Sequence, residues 1–268
     1  MCARNTRTEK KFYYKERLNT ERILRILREG ADNNCPSVSF QGDNEPFLID
    51  EITDWFGIAK GMGYLDIMVN TNGTIMSDEL AEKIIKSGLT RLRFSMDAIK
   101  EETYFKIRGG DLLPKIKENV LKFLEIKDKL KSDLPFVGVN FLKLRENSHE
   151  LEDFIQFWRD KADFIVLQDF ITPDIYGDYN AMDIETRQKS ALFKCNQPWQ
   201  RLYIRGNCDV CPCCAMFCSY LKLGNLNHSS LKEMWHSKKM KGLREIHKNG
   251  LYYKNKVCNK CTKSGFST

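Results

Sequence analysis

The sequence predicts an α/β protein, strands alternating with amphipathic helices, followed by a small cysteine-rich module. Three observations carry this. Short apolar runs alternate with helical patterns at regular spacing over the first two-thirds of the chain, as parallel strands joined by helical crossovers require. Glycines stand where helices should stop, at Gly30 and Gly88. Eight of the ten cysteines fall within residues 194–268, where that alternation has ended.

In chain order, the first predicted element is a helix over 20–29, with Ile23, Leu24 and Leu27 on one face and Gly30 as its stop. Val38-Ser39-Phe40 is a short strand, and 49–60 reads as a helix. Residues 65–69 form a strand that ends in the turn Thr71-Asn72-Gly73. Ser77 caps a helix that runs through Ile84-Ile85 to Gly88, and 91–96 is the next strand. Pro114 opens a long helix through Leu121 and Leu124. A strand over 136–142, a helix over 150–159 and a strand over 164–170 complete the series. A barrel, a partial barrel and an open doubly wound sheet all fit this order, and in each the loops after the strands form the working face.

The 268 residues contain no apolar run long enough to cross a membrane, and the N-terminus has no apolar stretch behind its charges. A cytoplasmic protein is therefore expected, whose cysteines serve as metal ligands or catalytic thiols rather than disulfides. Residues 1–193 carry a net charge of −4 and residues 194–268 a net charge of +11. Nucleic acid is one partner for such a basic end; an anionic cluster held by four thiolates is another, and the cysteines favour it. Composition shifts over 186–194, which divides the chain into domains at 1–190 and 191–268.

The strongest chemical signal is Cys258-Asn259-Lys260-Cys261, whose two thiolates can grip one metal ion or one cluster edge. Cys195, Cys208, Cys211, Cys213, Cys214 and Cys218 accompany it. Spacing alone leaves zinc and iron–sulfur open. Three strand ends in the α/β half are weaker signals. Gln41-Gly42-Asp43-Asn44-Glu45-Pro46 offers a carboxylate for an ammonium group, although an ordinary surface turn would read the same way. Thr71-Asn72-Gly73 by itself is merely a turn. Ser95 and Asp97 stand two apart, so strand alternation puts both on one side of the sheet, suited to ribose hydroxyls or to capping the next helix. Arg108, before Gly109-Gly110, can pair with a carboxylate or lie on the surface.

Taken together and in order, these pieces resemble the radical SAM enzymes that carry a C-terminal SPASM or shorter twitch extension. The matching segments are Gly42 to Pro46, Thr71-Asn72-Gly73, Phe94-Ser95-Met96-Asp97-Ala98 and Tyr104 to Arg108. In the tail they are Cys195-Asn196-Gln197-Pro198-Trp199, Val210-Cys211-Pro212-Cys213-Cys214, Leu223-Gly224-Asn225-Leu226, Leu231-Lys232-Glu233-Met234-Trp235 and Cys258 to Cys261. The resemblance implies a partial (β/α) TIM-like barrel that binds S-adenosylmethionine at its C-terminal face. Glu45 would hold the methionine amino group, Ser95 and Asp97 the ribose, and Arg108 the carboxylate. It also implies one auxiliary 4Fe–4S cluster on Cys195, Cys213, Cys258 and Cys261, with Cys211 or Cys214 as replacements for Cys213. Cys35 is expected outside the cluster, as a buried structural thiol.

The radical-generating cluster of that family uses three cysteines spaced CxxxCxxC. Here Met1-Cys2-Ala3-Arg4 resembles the end of the motif, with Cys2 as its third cysteine. The expectation is that Met1 is an internal methionine of a longer protein. The activity implied is that of an oxidoreductase or maturase, expected to be impaired in this chain because two of the three radical-cluster cysteines are missing from it. An electron from a donor such as flavodoxin or ferredoxin cleaves S-adenosylmethionine, and the adenosyl radical takes hydrogen from a small molecule, such as a sugar or aminocyclitol, or from a peptide. No nucleic-acid or membrane partner is expected. Two other readings stand beside it: a zinc-ribbon module that uses the basic tail on nucleic acid, and a non-catalytic remnant that keeps only the auxiliary cluster.

Overall fold

The computed structural model describes residues 17–42, 44–170 and 194–263. They belong to two compact units, residues 23–168, and residues 169–268 together with 1–22.

The larger unit is built on a five-stranded sheet of β1 (Ser37–Ser39), β2 (Asp66–Thr71), β3 (Arg91–Ser95), β4 (Phe136–Lys143) and β5 (Phe164–Asp169). Their order across the sheet is their order along the chain, and β1 through β4 pair in parallel. A doubly wound sheet reverses its strand order at a switch point; this one does not, so the barrel alternative holds. The helices confirm it. α2 (Ile52–Gly61), α3 (Asp78–Lys86), α5 (Leu113–Lys129) and α6 (Leu151–Trp158) bury Trp55, Phe56, Ile84, Val120, Phe123 and Trp158 against Ile67, Val69, Leu92, Phe94, Val137 and Val139. Alternate residues of β2 and β3 thus face the helices. Met68, Asn70, Arg91, Arg93 and Ser95 are half-buried on the opposite face. The result is a one-sided, partial (β/α) TIM-like barrel with an apolar outside and a polar inside.

Several predicted boundaries shift for local reasons. α1 (Thr20–Asp32) runs past Glu29 and buries Leu27. The helix expected from residue 49 starts at Ile52, because Pro46 instead nucleates a short 3-10 turn, Pro46–Leu48. β2 extends to Thr71, since Asn70 and Thr71 still pair with Arg93 and Phe94. α4 (Glu101–Arg108) has no counterpart among the predicted elements; it is two turns long, with Tyr104 and Ile107 as its buried apolar positions.

The smaller unit opens with α7 (Gln197–Gln200) and an antiparallel sheet of β6 (Tyr203–Ile204), β7 (Asp209–Cys211) and β8 (Gly224–Asn225). α8 (Leu231–Trp235), α9 (Lys238–Lys248) and α10 (Lys256–Lys263) follow. Ser230 and Glu233 cap α8 reciprocally. The Arg244 guanidinium lies 4.3 Å from the Trp235 ring centroid and donates to the carbonyls of Pro198 and Trp235, each at 2.9 Å. Part of the basic charge of the tail is therefore spent on holding its helices together. Among the described residues, no helix is long and apolar enough to cross a membrane.

Candidate functional site

The C-terminal ends of β1, β2 and β3 lie along one edge of the parallel sheet, and each carries one of the sequence-predicted groups. Glu45 follows β1 and caps the Pro46–Leu48 turn. Its Oε1 accepts from Thr71 Oγ1 at 2.6 Å, and its Oε2 accepts from the Asn72 amide at 2.8 Å. Thr71 Oγ1 in turn accepts from the Gly73 amide at 3.0 Å, and Asn72 Oδ1 accepts from the Thr74 amide at 2.9 Å. Gly73 has φ +74, and a Cβ there would come within 2.9 Å of the Phe94 ring, so glycine is required on two counts. Thr71-Asn72-Gly73 is more than a turn. It is a bracket on β2 that fixes a carboxylate arriving from β1.

Ser95 ends β3 and pairs in register with Asn140 of β4. The strand alternation does not reach Asp97. That residue has φ +61 and is 2% exposed. Its Oδ1 accepts from the Leu142 amide at 2.8 Å, and its Oδ2 accepts from Arg108 Nε at 2.9 Å and from Nη2. The expectation that Ser95 and Asp97 project to one side by simple alternation is therefore corrected. The chain turns left-handed at Asp97 and delivers its carboxylate between α4 and the end of β4. Asn147 Nδ2 donates to the carbonyls of Asp97 and Leu142, each at 2.7 Å. Glu150, fully buried, accepts from the amides of Ile99 and Lys100 and so pins the segment that leads into α4. The predicted site residues did not include Asn147 and Glu150. The signal was there, as two polar residues three apart just beyond an apolar strand.

The polar inner face was also missed. Asn70 and Arg93 are register partners, and Arg93 pairs with Gly138. The register of β1 with β2, extended two residues, sets Gln41 beside Asn70. The side-chain oxygens of Gln41, Asn70 and Asn140 are buried, with no hydrogen-bond partner among the described residues. Arg91, Arg93 and Ser95 at every second position of β3, with Asn70 on β2, announced this face.

In the smaller unit the CxxC lies on α10, where Cys258 and Cys261 are three apart and share a helix face. Asn255 Oδ1 caps that helix through the amides of Val257 and Cys258, at 3.0 and 3.1 Å. Cys213 and Cys261 pack against Ala215 and Val257. Burial pushes the Cys258 thiol up to about 12, and the neighbouring Cys261 and Cys195 add to the shift. Burial likewise raises the Cys213 thiol well above its usual range, helped by Cys218, Cys261 and Cys214. A hydrogen bond to Cys211 and then burial raise Cys218. Cys195, Cys258, Cys261, Cys213, Cys218 and Cys211 thus form a chain of neighbours that cannot all ionise without a cation among them. Among the described residues, no three His, Cys, Asp or Glu side chains are placed to hold a single metal ion. Four thiolates suit an iron–sulfur cluster and one zinc ion alike. Cys208 takes φ +67 in the turn before β7, a glycine-like conformation. Cys35 is exposed, its thiol donating to the Ser37 carbonyl at 3.3 Å, so the expectation of a buried thiol is corrected. It precedes an edge strand of only three residues, too short to cover it. Cys2 lies outside the described residues.

Comparison with known proteins adds the following. The model of the radical SAM superfamily matches residues 1–157. A model described as an iron–sulfur cluster-binding domain, SPASM, matches residues 195–262. A "Probable GTP 3',8-cyclase" of Methanothermobacter marburgensis is 29% identical over 164 residues, 61% of this chain and 51% of that protein. One of Saccharolobus islandicus is 32% identical over 139 residues, 52% of this chain and 42% of that protein. The chain spans about half the length of the curated relatives it matches. Among solved structures, native anSMEcpe with bound AdoMet superposes with a TM-score of 0.66 at 15% identity, covering 86% of this chain and 75% of that one. SuiB of Streptococcus suis bound to the precursor peptide SuiA gives 0.64 at 16% identity, covering 82% and 58%. These two likenesses are of fold.

Proposed function

Because this chain belongs to the radical SAM superfamily and carries its SPASM iron–sulfur domain, with S-adenosylmethionine and 4Fe–4S clusters as cofactors, we propose that its barrel holds S-adenosylmethionine at the ends of β1 to β3 for the modification of a small polar molecule or a peptide. The observation that carries this is the bracketed Glu45 carboxylate, fixed by Thr71 and Asn72 beside Ser95 on the next strand. Bound together, the cofactor and a reduced 4Fe–4S cluster supply hydrogen-atom abstraction. The residues of this chain bind and orient. Glu45 receives the ammonium group of the methionine moiety on the lone pairs that Thr71 and Asn72 leave. Ser95 offers its hydroxyl to the ribose. Asp97, already engaged by Arg108 and Leu142, contributes to the ribose side chiefly by positioning. It also keeps the Arg108 guanidinium at the site for the carboxylate.

We assign Cys195, Cys213, Cys258 and Cys261 to the auxiliary cluster, with Cys211 next in line through Cys218. Cys2 matches one of three positions in the motif of the radical cluster, and residues 1–34 hold no other cysteine, so they do not fit that cluster by themselves. Within this reading the domains divide as 1–190 and 191–268, the reaction is of oxidoreductase type, the electron donor is a flavodoxin or ferredoxin, and the protein works in the cytoplasm. The test is binding of S-adenosylhomocysteine, which needs no turnover. Wild-type chain should bind it, and Glu45→Gln should weaken binding roughly 10- to 100-fold through loss of a charge-assisted hydrogen bond. Equal affinities, with both proteins folded, contradict the assignment.

A further inference from the structure

The basic charge of the tail is concentrated at its end. Residues 238–263 hold eight lysines and one arginine against a single acid, Glu245. Arg244 is taken up by the Trp235 ring and two carbonyls, and Lys239 donates to the Lys222 carbonyl at 3.1 Å. Three lysines of α9 stand differently. Lys238, Lys241, Glu245 and Lys248 recur at three- and four-residue spacing, so they share one helix face. The opposite face is buried through Met240, Leu243 and His247. Lys238, Lys241 and Lys248 are exposed and make no ion pair among the described residues. Glu245 Oε1 accepts from Asn249 of the same helix at 2.6 Å. Like charges at this spacing weaken a helix slightly, so the fold gives no reason for the alignment. The turn Tyr252–Lys254 joins α9 to α10 and touches both. Tyr253 in that turn is 53% exposed, and the Tyr252 ring packs edge-on against it at 5.9 Å. It is the one exposed large apolar side chain among the described residues from 238 to 263. Lys254, also exposed, follows it, and α10 then carries Cys258 and Cys261.

We propose that this ridge of α9, with Tyr253 as its anchor, docks an acidic electron-carrier protein beside the auxiliary iron–sulfur site. The inference rests on the iron–sulfur reading above and adds the place where a redox partner binds. Three features select that partner. Lysines without counter-charges on a convex face attract an acidic surface and steer its approach. One exposed aromatic ring with no wider apolar patch fits the small, short-lived contacts of electron carriers, whereas a permanent subunit needs a larger apolar area. The turn that bears the ring leads directly into the helix of Cys258 and Cys261, so a carrier seated there lies beside the thiolate set. A nucleic-acid strand fits less well, since it asks for a groove and a succession of stacking rings.

The experiment measures binding of a flavodoxin and of a ferredoxin, both acidic, to the full chain after anaerobic reconstitution with iron and sulfide, by calorimetry at low and at high salt. At least one carrier should bind, and more weakly as salt rises. The double variant Lys241→Glu/Lys248→Glu should weaken that binding roughly 10- to 100-fold, and Tyr253→Ala roughly tenfold. Lys115→Glu, a reversal of an exposed charge on α5, should leave it within about twofold. Iron content and circular dichroism of each variant should match wild type, which separates lost docking from lost folding. The proposal is overturned if neither carrier binds, if the α9 double variant binds as wild type does, or if Lys115→Glu costs as much. It is also overturned if a DNA duplex of about 20 base pairs binds more tightly than either carrier and loses that affinity in the double variant, which would give the ridge to nucleic acid. Absence of iron from the reconstituted wild type would sink the iron–sulfur reading instead, while the carrier measurements still decide this one.

Discussion

Glu45 and Asp97 are both carboxylates at strand ends, yet they are held by different means. Glu45 is half-buried and accepts from a hydroxyl and an amide of the next strand. Asp97 is buried and shares its charge with Arg108, whose side chain is 29% exposed. Removing one partner of a buried pair strands the other, at about 3 kcal/mol. Arg108→Ala, which strands the buried Asp97 carboxylate, should therefore lower unfolding free energy by about 3 kcal/mol in urea, with Asp97→Ala costing less because the arginine it leaves behind is partly solvated. A loss below about 1 kcal/mol for Arg108→Ala would show that the pair is incidental. At this scale the sequence was legible in residue type and position but not in orientation. Ser95-Met96-Asp97 reads as alternation, and only the φ of +61 at Asp97 reveals that it ends one residue earlier. Cys35 was misread for a related reason. Burial of a cysteine depends on what covers it, and no local pattern encodes that.

Elements are pinned to one another by single side chains. Tyr64, just before β2, is 6% exposed and donates from its hydroxyl to the carbonyl of Leu27 in α1 at 2.9 Å. A Cβ on Gly30 would strike that hydroxyl. Gly30 thus serves packing as well as chain reversal, because α1 continues to Asp32 instead of stopping there. Gly30→Ala should destabilise the barrel unit, and adding Tyr64→Phe should recover part of the loss by removing the clashing oxygen. If the double variant is no more stable than Gly30→Ala, the contact is not the cause. Burial raises the Tyr64 phenol from 10.0 to about 12, with Cys35 adding to the shift. A raised acid favours the protonated fold, so its stabilisation is complete below pH 10 and is lost as pH rises through about 12. The alkaline limb of the wild-type stability curve should be steeper than that of Tyr64→Phe between these values, as thermal unfolding across the range would show. Element existence and order were legible because apolar periodicity encodes them directly. α4 was not, since two turns carry too little periodicity to stand out.

At the level of the molecule, the barrel was legible as a set of crossovers, but its one-sidedness was not. That property comes from strand order, which leaves no local trace, and it creates the polar inner face. The tail was legible through its CxxC and cysteine density. The choice among Cys211, Cys213 and Cys214 was not, because all three lie within four residues, and Cys211 and Cys213 both neighbour Cys218. The basic charge of the tail accompanies a thiolate set that needs a cationic centre. The central claim is that this set holds an iron–sulfur cluster. The most direct measurement is iron and acid-labile sulfide per chain after anaerobic reconstitution, in wild type and in Cys258→Ser, Cys261→Ser and Cys35→Ser. The account predicts about four of each in wild type, as one 4Fe–4S cluster requires, a clear loss in both tail variants, and no change in Cys35→Ser. Zinc in place of iron, or unchanged iron in Cys258→Ser and Cys261→Ser, would contradict it.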